Sequence, residues 1–272
     1  MKRFSRRLIQ FAATVLSNPF AANFFDGKLY RGGLKNFCAP GLNCWSCPAA
    51  AWSCPIGAMQ TVAGTGGKFS FYAAGFVILV GLFLGRAVCG FLCPFGLLQE
   101  LLNKIPSPKK ILPRQLTGVK YFVLIMFVLI LPVALPLGEP AFCEFICPAG
   151  LLEAGLPLIA VREEYRDLLG KIFALKFFVL VAVIVGCVLV HRFFCRVLCP
   201  LGAIYGLLNR YSFWQLKFSS ELCVDCGRCR KVCPLNLDPT RENNSAECVR
   251  CNRCVDVCPS KALSQKFLRG DH

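Results

Sequence analysis

From Cys223 the chain reads Cys-Val-Asp-Cys-Gly-Arg-Cys-Arg-Lys-Val-Cys-Pro, and from Cys248 it reads Cys-Val-Arg-Cys-Asn-Arg-Cys-Val-Asp-Val-Cys-Pro. Both are C-x2-C-x2-C-x3-C-P. In this register three closely spaced thiolates hold one iron–sulfur cubane, and the fourth, turned away ahead of the proline, reaches its partner. The spacing therefore predicts two [4Fe-4S] clusters with crossed ligand sets. One uses Cys223, Cys226, Cys229 and Cys258, and the other Cys248, Cys251, Cys254 and Cys233. A pair of zinc sites is the competing reading, but zinc ribbons pair two short knuckles and have no use for the extra cysteines. Arg228, Arg230, Lys231 and Arg250 are expected either to offset cluster charge or to be solvated.

A second pattern, Cys-Pro-x-Gly, occurs at Cys54, Cys93, Cys147 and Cys199. In three of the four a further cysteine lies four residues earlier: Cys89, Cys143 and Cys195. Positions i and i+4 share a helix face, so each pair points its sulfurs together, and the proline suits the first turn of a new helix. Two pairs make one site. Cys89, Cys93, Cys195 and Cys199 are expected to hold a cluster on the inner, cytoplasmic side. Cys143 and Cys147 are expected to pair with cysteines of the first outer loop, Cys38-x5-Cys44-x2-Cys47-x6-Cys54, with Cys47 and Cys54 the first choice. Cys38 and Cys44 are left with three roles: a disulfide, membership of the outer cluster, or a further site. A wholly disulfide-bonded outer face is the alternative. Cys187, alone within an apolar stretch, reads as a small packing residue.

These cysteines need elements to position them, and the composition says what kind. Of 272 residues 56% are hydrophobic and only 17% charged, which suits a membrane protein better than a soluble one. Nineteen cysteines in such a chain point to metal ahead of a small secreted disulfide scaffold. The formal charge of +16 is explained by basic flanks of membrane helices and by cluster charge, without nucleic acid.

A bilayer core takes roughly 20 helical residues. Four apolar stretches answer to that: Leu8 to Phe25, about Ser70 to Gly85, Val119 to Pro136 and Ile172 to Val190. The first, after Met-Lys-Arg-Phe-Ser-Arg-Arg, is also readable as a signal peptide. Basic residues before it and between the second and third stretches place those segments and both termini in the cytoplasm. The order of helix and motif repeats as halves of about 1–110 and 111–215, predicting parallel repeats about an axis along the membrane normal. The fold class is thus an all-α polytopic membrane protein of four transmembrane helices with an internal parallel repeat. It is followed over 216–272 by a small α+β two-cluster ferredoxin domain.

Two histidines, His191 and His272, cannot supply the paired axial ligands of a membrane cytochrome b or a Rieske centre. His191 reads as an interfacial polar residue. The run 64–68 lacks the first Walker A glycine and reads as a turn; no dinucleotide fingerprint occurs, so no haem or nicotinamide site is expected.

With GLNCWSCP, CPIGA, CGFLCPFGLLQE, CRVLCPLGAIYG and the tandem tail in view, the chain over about 1–265 resembles the NapH/MauN-type membrane ferredoxins, related to the membrane core of NosR. The resemblance implies electron transfer between the quinone pool or cytoplasmic carriers and an extracytoplasmic redox partner, in the inner membrane of a prokaryote. It carries over to Cys89, Cys93, Cys195, Cys199 and the eight tail cysteines. The outer cysteines depart from the simplest members and leave direction and partner open. A maturation factor reducing a metal or disulfide in a client, or a redox sensor, is the rival class. One difficulty faces a conduit: inner and outer sites at opposite faces of a core about 30 Å thick are far apart for tunnelling. Either both sit inside the membrane, or a quinone, flavin or partner bridges them.

Overall fold

The computed structural model of the chain describes residues 3–65, 70–134, 139–164 and 170–267. It is mostly helical, ending in a ferredoxin-type domain. The expected turn at 64–68 and His272 lie partly or wholly outside those residues. Two helices, Arg114–Ala134 and Lys171–Leu189, are long and apolar enough to cross a membrane; Phe71–Leu84 and Pro148–Val161 are shorter apolar helices.

The first expected span is interrupted. Its helix, Arg3–Ser17, stops where the apolar stretch continues to Phe25, because Pro19 lacks an N–H and disfavours helical geometry at Asn18. Its faces are inverted relative to a helix on a soluble protein. Arg6, Gln10 and Ser17 are buried, whereas Leu8, Phe11 and Leu16 are exposed. In the third apolar stretch, Pro132 cannot donate to the helix ladder, and the turn before it widens to π-helix over Leu124–Ile130.

Each Cys-Pro-x-Gly motif starts a helix, beginning at Pro55, Pro94, Pro148 and Pro200. In all four the cysteine is the extended N-cap residue, and at the last motif the Cys199 sulfur accepts the amide N–H of Gly202 at 3.4 Å. This is side-chain capping with sulfur in place of oxygen, and the helix N-terminus favours a thiolate there. One contiguous apolar core contains Cys54, Cys147, Cys89, Cys93 and Cys199.

The tail closes as an antiparallel pair, β1 (Trp214–Phe218) against β2 (Leu263–Phe267), with Leu216 opposite Gln265. Between the strands the two cysteine runs fold alike. Asp225, Gly227 and Asn236 in one, and Arg250, Asn252 and Lys261 in the other, take positive φ at matching positions. Backbone geometry, more than side-chain identity, repeats in the tail.

Candidate metal centres

In the tail, Cys223, Cys226, Cys229 and Cys258 line one cavity, and Cys233, Cys248, Cys251 and Cys254 another. Cys89, Cys93, Cys195 and Cys199 line a third. Among the described residues no three His, Cys, Asp or Glu side chains converge on a single-ion site; the thiols surround cavities instead. All nineteen cysteines are free thiols.

The inner four are held by a reciprocal pair of arginines. Arg86 lies three residues before Cys89 and Arg192 three before Cys195. Arg86 Nη2 donates to the carbonyl of Cys195 at 2.9 Å, and Arg192 Nη1 to that of Cys89 at 2.5 Å. Each half thus grips the other's first cysteine. Both guanidiniums are buried and need counter-charges. Glu100 serves Arg192 at 2.6 Å and also Arg6 of the first helix at 2.5 Å. Burial alone pushes the Glu100 carboxyl up, but Arg192 and Arg6 outweigh it and hold it well below the usual carboxylate range. Glu247, from the tail, serves Arg86 at 3.2 Å, Lys120 and Arg196.

The sixth residue after each Cys-Pro-x-Gly cysteine reaches across to another motif. Gln99 donates to Cys195 Sγ at 2.9 Å and accepts from the Cys195 amide at 3.3 Å. Gln60 donates to Cys143 Sγ at 3.3 Å and accepts from the Phe142 amide at 2.9 Å. Glu153 accepts from the Cys44 amide at 2.9 Å. Tyr205 donates to the Pro40 carbonyl at 2.8 Å. Burial pushes the Glu153 carboxyl up to about 7, against the opposing pull of the Cys44 amide.

The outer cysteines separate into two groups. The thiol neighbours of Cys147 are Cys143, Cys44 and Cys54. Cys47 packs against Cys44 but is not among those neighbours of Cys147; its thiol is 3.9 Å from Asn18 Oδ1, and Lys35 is bonded to its carbonyl at 3.1 Å. Cys38, in a parallel bridge with Ser53, lies beside Cys54. The structure therefore brings Cys44, rather than the first-choice Cys47, to the other three. Loop spacing cannot show this: Cys44 occupies the place of a cysteine four residues before Cys54, where Ala50 stands.

Cys187 is fully buried, 3.6 Å from Gln99 Oε1. His191 meets Asn103 at 3.3 Å, and burial, then the Arg192 charge, pushes its imidazole down to about 3. Arg250, expected at a cluster or in solvent, is out of solvent and lines the cavity of Cys233, Cys248, Cys251 and Cys254. It is buried and bonded to the carbonyls of Leu84 and Asn209 and to Ser212, fastening the tail to the helices, because its positive φ turns the side chain inward. Arg230 is half-exposed, 2.8 Å from Asp238.

The 4Fe-4S binding domain family matches residues 51–72, 67–113, 119–158 and 172–219, one Cys-Pro-x-Gly motif in each segment, and a second 4Fe-4S binding domain family matches 216–236 and 243–264. The chain belongs to the NapH/MauN/NosR-type 4Fe-4S family. It is 30% identical over 166 residues to the putative electron transport protein YccM of Escherichia coli, covering 58% of this chain and 43% of that protein. It is 31% identical to the uncharacterized protein MJ0750 of Methanocaldococcus jannaschii, covering 63% of this chain and 68% of that one. With the methylamine utilization ferredoxin-type protein MauN of Paracoccus denitrificans it shares 27% identity, covering 58% and 52%. No solved structure matches. These relatives point to 4Fe-4S electron transfer, and the donor chemistry fits: thiols lining cavities, with amide N–H groups aimed at their sulfurs.

Proposed function

We propose that the chain carries electrons through the membrane between a quinone or cytoplasmic carrier and an extracytoplasmic redox partner, using four [4Fe-4S] clusters. Residues 1–215 span the inner membrane of a prokaryote four times as two parallel repeats, and 216–272 form the cytoplasmic ferredoxin domain. The reciprocal Arg86 and Arg192 contacts support the repeat. The inverted Arg3–Ser17 helix, apolar outward and charged inward, supports lipid around it.

The observation that carries the reading is the grouping of thiols. Cys223, Cys226, Cys229 and Cys258 hold one cluster and Cys248, Cys251, Cys254 and Cys233 the next. Cys89, Cys93, Cys195 and Cys199 hold the inner one, and Cys44, Cys54, Cys143 and Cys147 the outer. When bound, the clusters supply one-electron redox chemistry. The protein's own groups hold the thiolates, exclude water, and offset charge through Arg86 and Arg192. Val249, next to Cys248, lies against Gly90, next to Cys89, where an added Cβ would be 2.7 Å from the Val249 carbonyl. The tail is thus in contact with the inner site.

Iron and acid-labile sulfide in anaerobically purified full chain should amount to about sixteen atoms each. The double variant Cys143→Ser/Cys147→Ser should hold about twelve. About twelve in the unaltered chain, unchanged in the variant, would show that the outer thiols hold no cluster.

A further inference from the structure

The loop before the first Cys-Pro-x-Gly motif does more than supply Cys44. It runs between the inner and outer thiols and touches both. Leu42 lines the inner cavity beside Cys93, an inner thiol, and the Ala39 amide donates at 2.8 Å to the carbonyl of Ser53, next to Cys54, an outer one. Gly41 packs so closely that a Cβ would lie 2.7 Å from Cys93 Cα and 3.3 Å from its sulfur. Pro40 is fixed by the fully buried Tyr205, whose nearby thiols are Cys89, Cys93 and Cys199 on one side and Cys54 on the other. Pro40, Gly41, Leu42 and Tyr205 all line the cavity of the inner four cysteines.

The sites are therefore not a bilayer apart. Leu42, Cys54, Cys93, Cys147, Cys199 and Tyr205 belong to one apolar core, and one short stretch, Ala39–Leu42, is packed on Cys93 at Gly41 and hydrogen-bonded at Ala39 to the residue before Cys54.

We infer that the Ala39–Leu42 segment, clamped by Tyr205 at Pro40, is the electron bridge between the inner and outer clusters and makes them one interacting pair. This rests on the four-cluster reading and deepens it. One electron leaves the reduced member of the pair and reduces the other by one; no bond is made or broken and no proton is needed. From Cys54 through Ser53, its hydrogen bond to Ala39 and the chain to Gly41 against Cys93 runs a short path of covalent bonds, one hydrogen bond and one close contact, and no quinone, flavin or partner subunit is required between the sites.

The test is EPR on dithionite-reduced full-length protein, with iron counted on the same samples. In the unaltered chain the inner-cluster signal should be broadened by spin–spin interaction. In Cys143→Ser/Cys147→Ser it should narrow, keeping only its interaction with the tail clusters, while about four iron atoms are lost. Loss of iron with no change in line shape overturns the bridge and leaves the four-cluster reading standing; no loss of iron overturns both. Should the double variant misfold, Cys147→Ser alone keeps an oxygen ligand at the outer site and moves only that cluster's midpoint. The broadening should then appear at the new outer midpoint in a redox titration, with the inner midpoint unmoved. Broadening whose onset stays where it is in the unaltered chain overturns the bridge.

Discussion

At the scale of single residues, the thiols that hold the clusters are distinguished from the groups that hold the thiols. Gln99 is of the second kind. Its amide N–H is 2.9 Å from Cys195 Sγ, and its carbonyl is engaged by the Cys195 amide and approached by Cys187. A hydrogen bond to a charged acceptor contributes about 1.5–3 kcal/mol, and about 59 mV corresponds to a tenfold shift for one electron. Gln99→Leu should therefore lower the inner cluster's midpoint by on the order of 60 mV with iron content unchanged, read by potentiometric EPR. Glu100 acts at longer reach, as shared counter-ion of Arg6 and Arg192. Glu100→Gln leaves two buried cations uncompensated and should cost about 3–5 kcal/mol, seen as a lower melting temperature. Because the folded carboxyl sits below its ordinary range, its contribution is full above that range and fades as pH falls through the folded value. The gap between variant and unaltered chain should narrow on acidification. The cysteine types were legible in the sequence because cluster chemistry demands fixed spacings. Gln60, Gln99, Glu153 and Tyr205 were equally regular, each six residues after a motif cysteine, but four different partners disguise a shared role that only the crossing of the motifs exposes.

At the scale of elements, Cys-Pro-x-Gly is a helix start whose residues have separate physical duties. The cysteine takes the N-cap position, the proline fixes the first turn, and at Cys199 the glycine offers its N–H to the sulfur. The glycine's lack of a side chain matters unequally. A Cβ on Gly96 or Gly202 would sit 2.6 Å from the carbonyl of Cys89 or Cys195, whereas on Gly57 or Gly150 it would meet only a thiol at 3.9 Å. Gly202→Ala should thus destabilise by about 1–3 kcal/mol and depress cluster occupancy, while Gly57→Ala should retain its iron; thermal melts with iron analysis separate the two. Apolar stretches were readable because lipid and core impose the same composition over a long run. The break after Ser17 was also written in Asn18 and Pro19, but a hydropathy reading averages over them. What no window could show is that this loop runs between the two groups of thiols: a segment of Ala, Pro, Gly and Leu reads as an ordinary turn until Gly41 is seen against Cys93 and Ala39 bonded to Ser53 beside Cys54.

At the scale of the whole molecule, the tail is fastened to the helices by charge as well as by packing, and Glu247 is the pivot. Its carboxylate, adjoining Cys248, lies among Arg86, Lys120 and Arg196, so one tail residue answers three cations drawn from three segments of the helical half. Arg86 in turn grips the carbonyls of Cys195 and of Ala246, so the same guanidinium touches an inner ligand and the residue leading into the tail's second cysteine run. Arg250 adds an independent anchor from the opposite direction, through Leu84, Asn209 and Ser212. Separate apolar contact, Val249 against Gly90, fills the space between. Three mechanisms of attachment predict graded loss. Glu247→Gln removes the counter-charge but leaves Arg250 in place, so the tail should stay folded with its iron while its docking loosens. Limited trypsin digestion should then cut between 208 and 216 faster in Glu247→Gln than in the unaltered chain. Spin–spin broadening between the tail and inner clusters should weaken, with total iron still about sixteen. Unchanged cleavage and unchanged coupling would mean that Arg250 and Val249 suffice for docking. Glu247 would then act only to neutralise the arginines around the inner site, and its loss should appear as a raised inner midpoint, since uncompensated positive charge favours the reduced cluster.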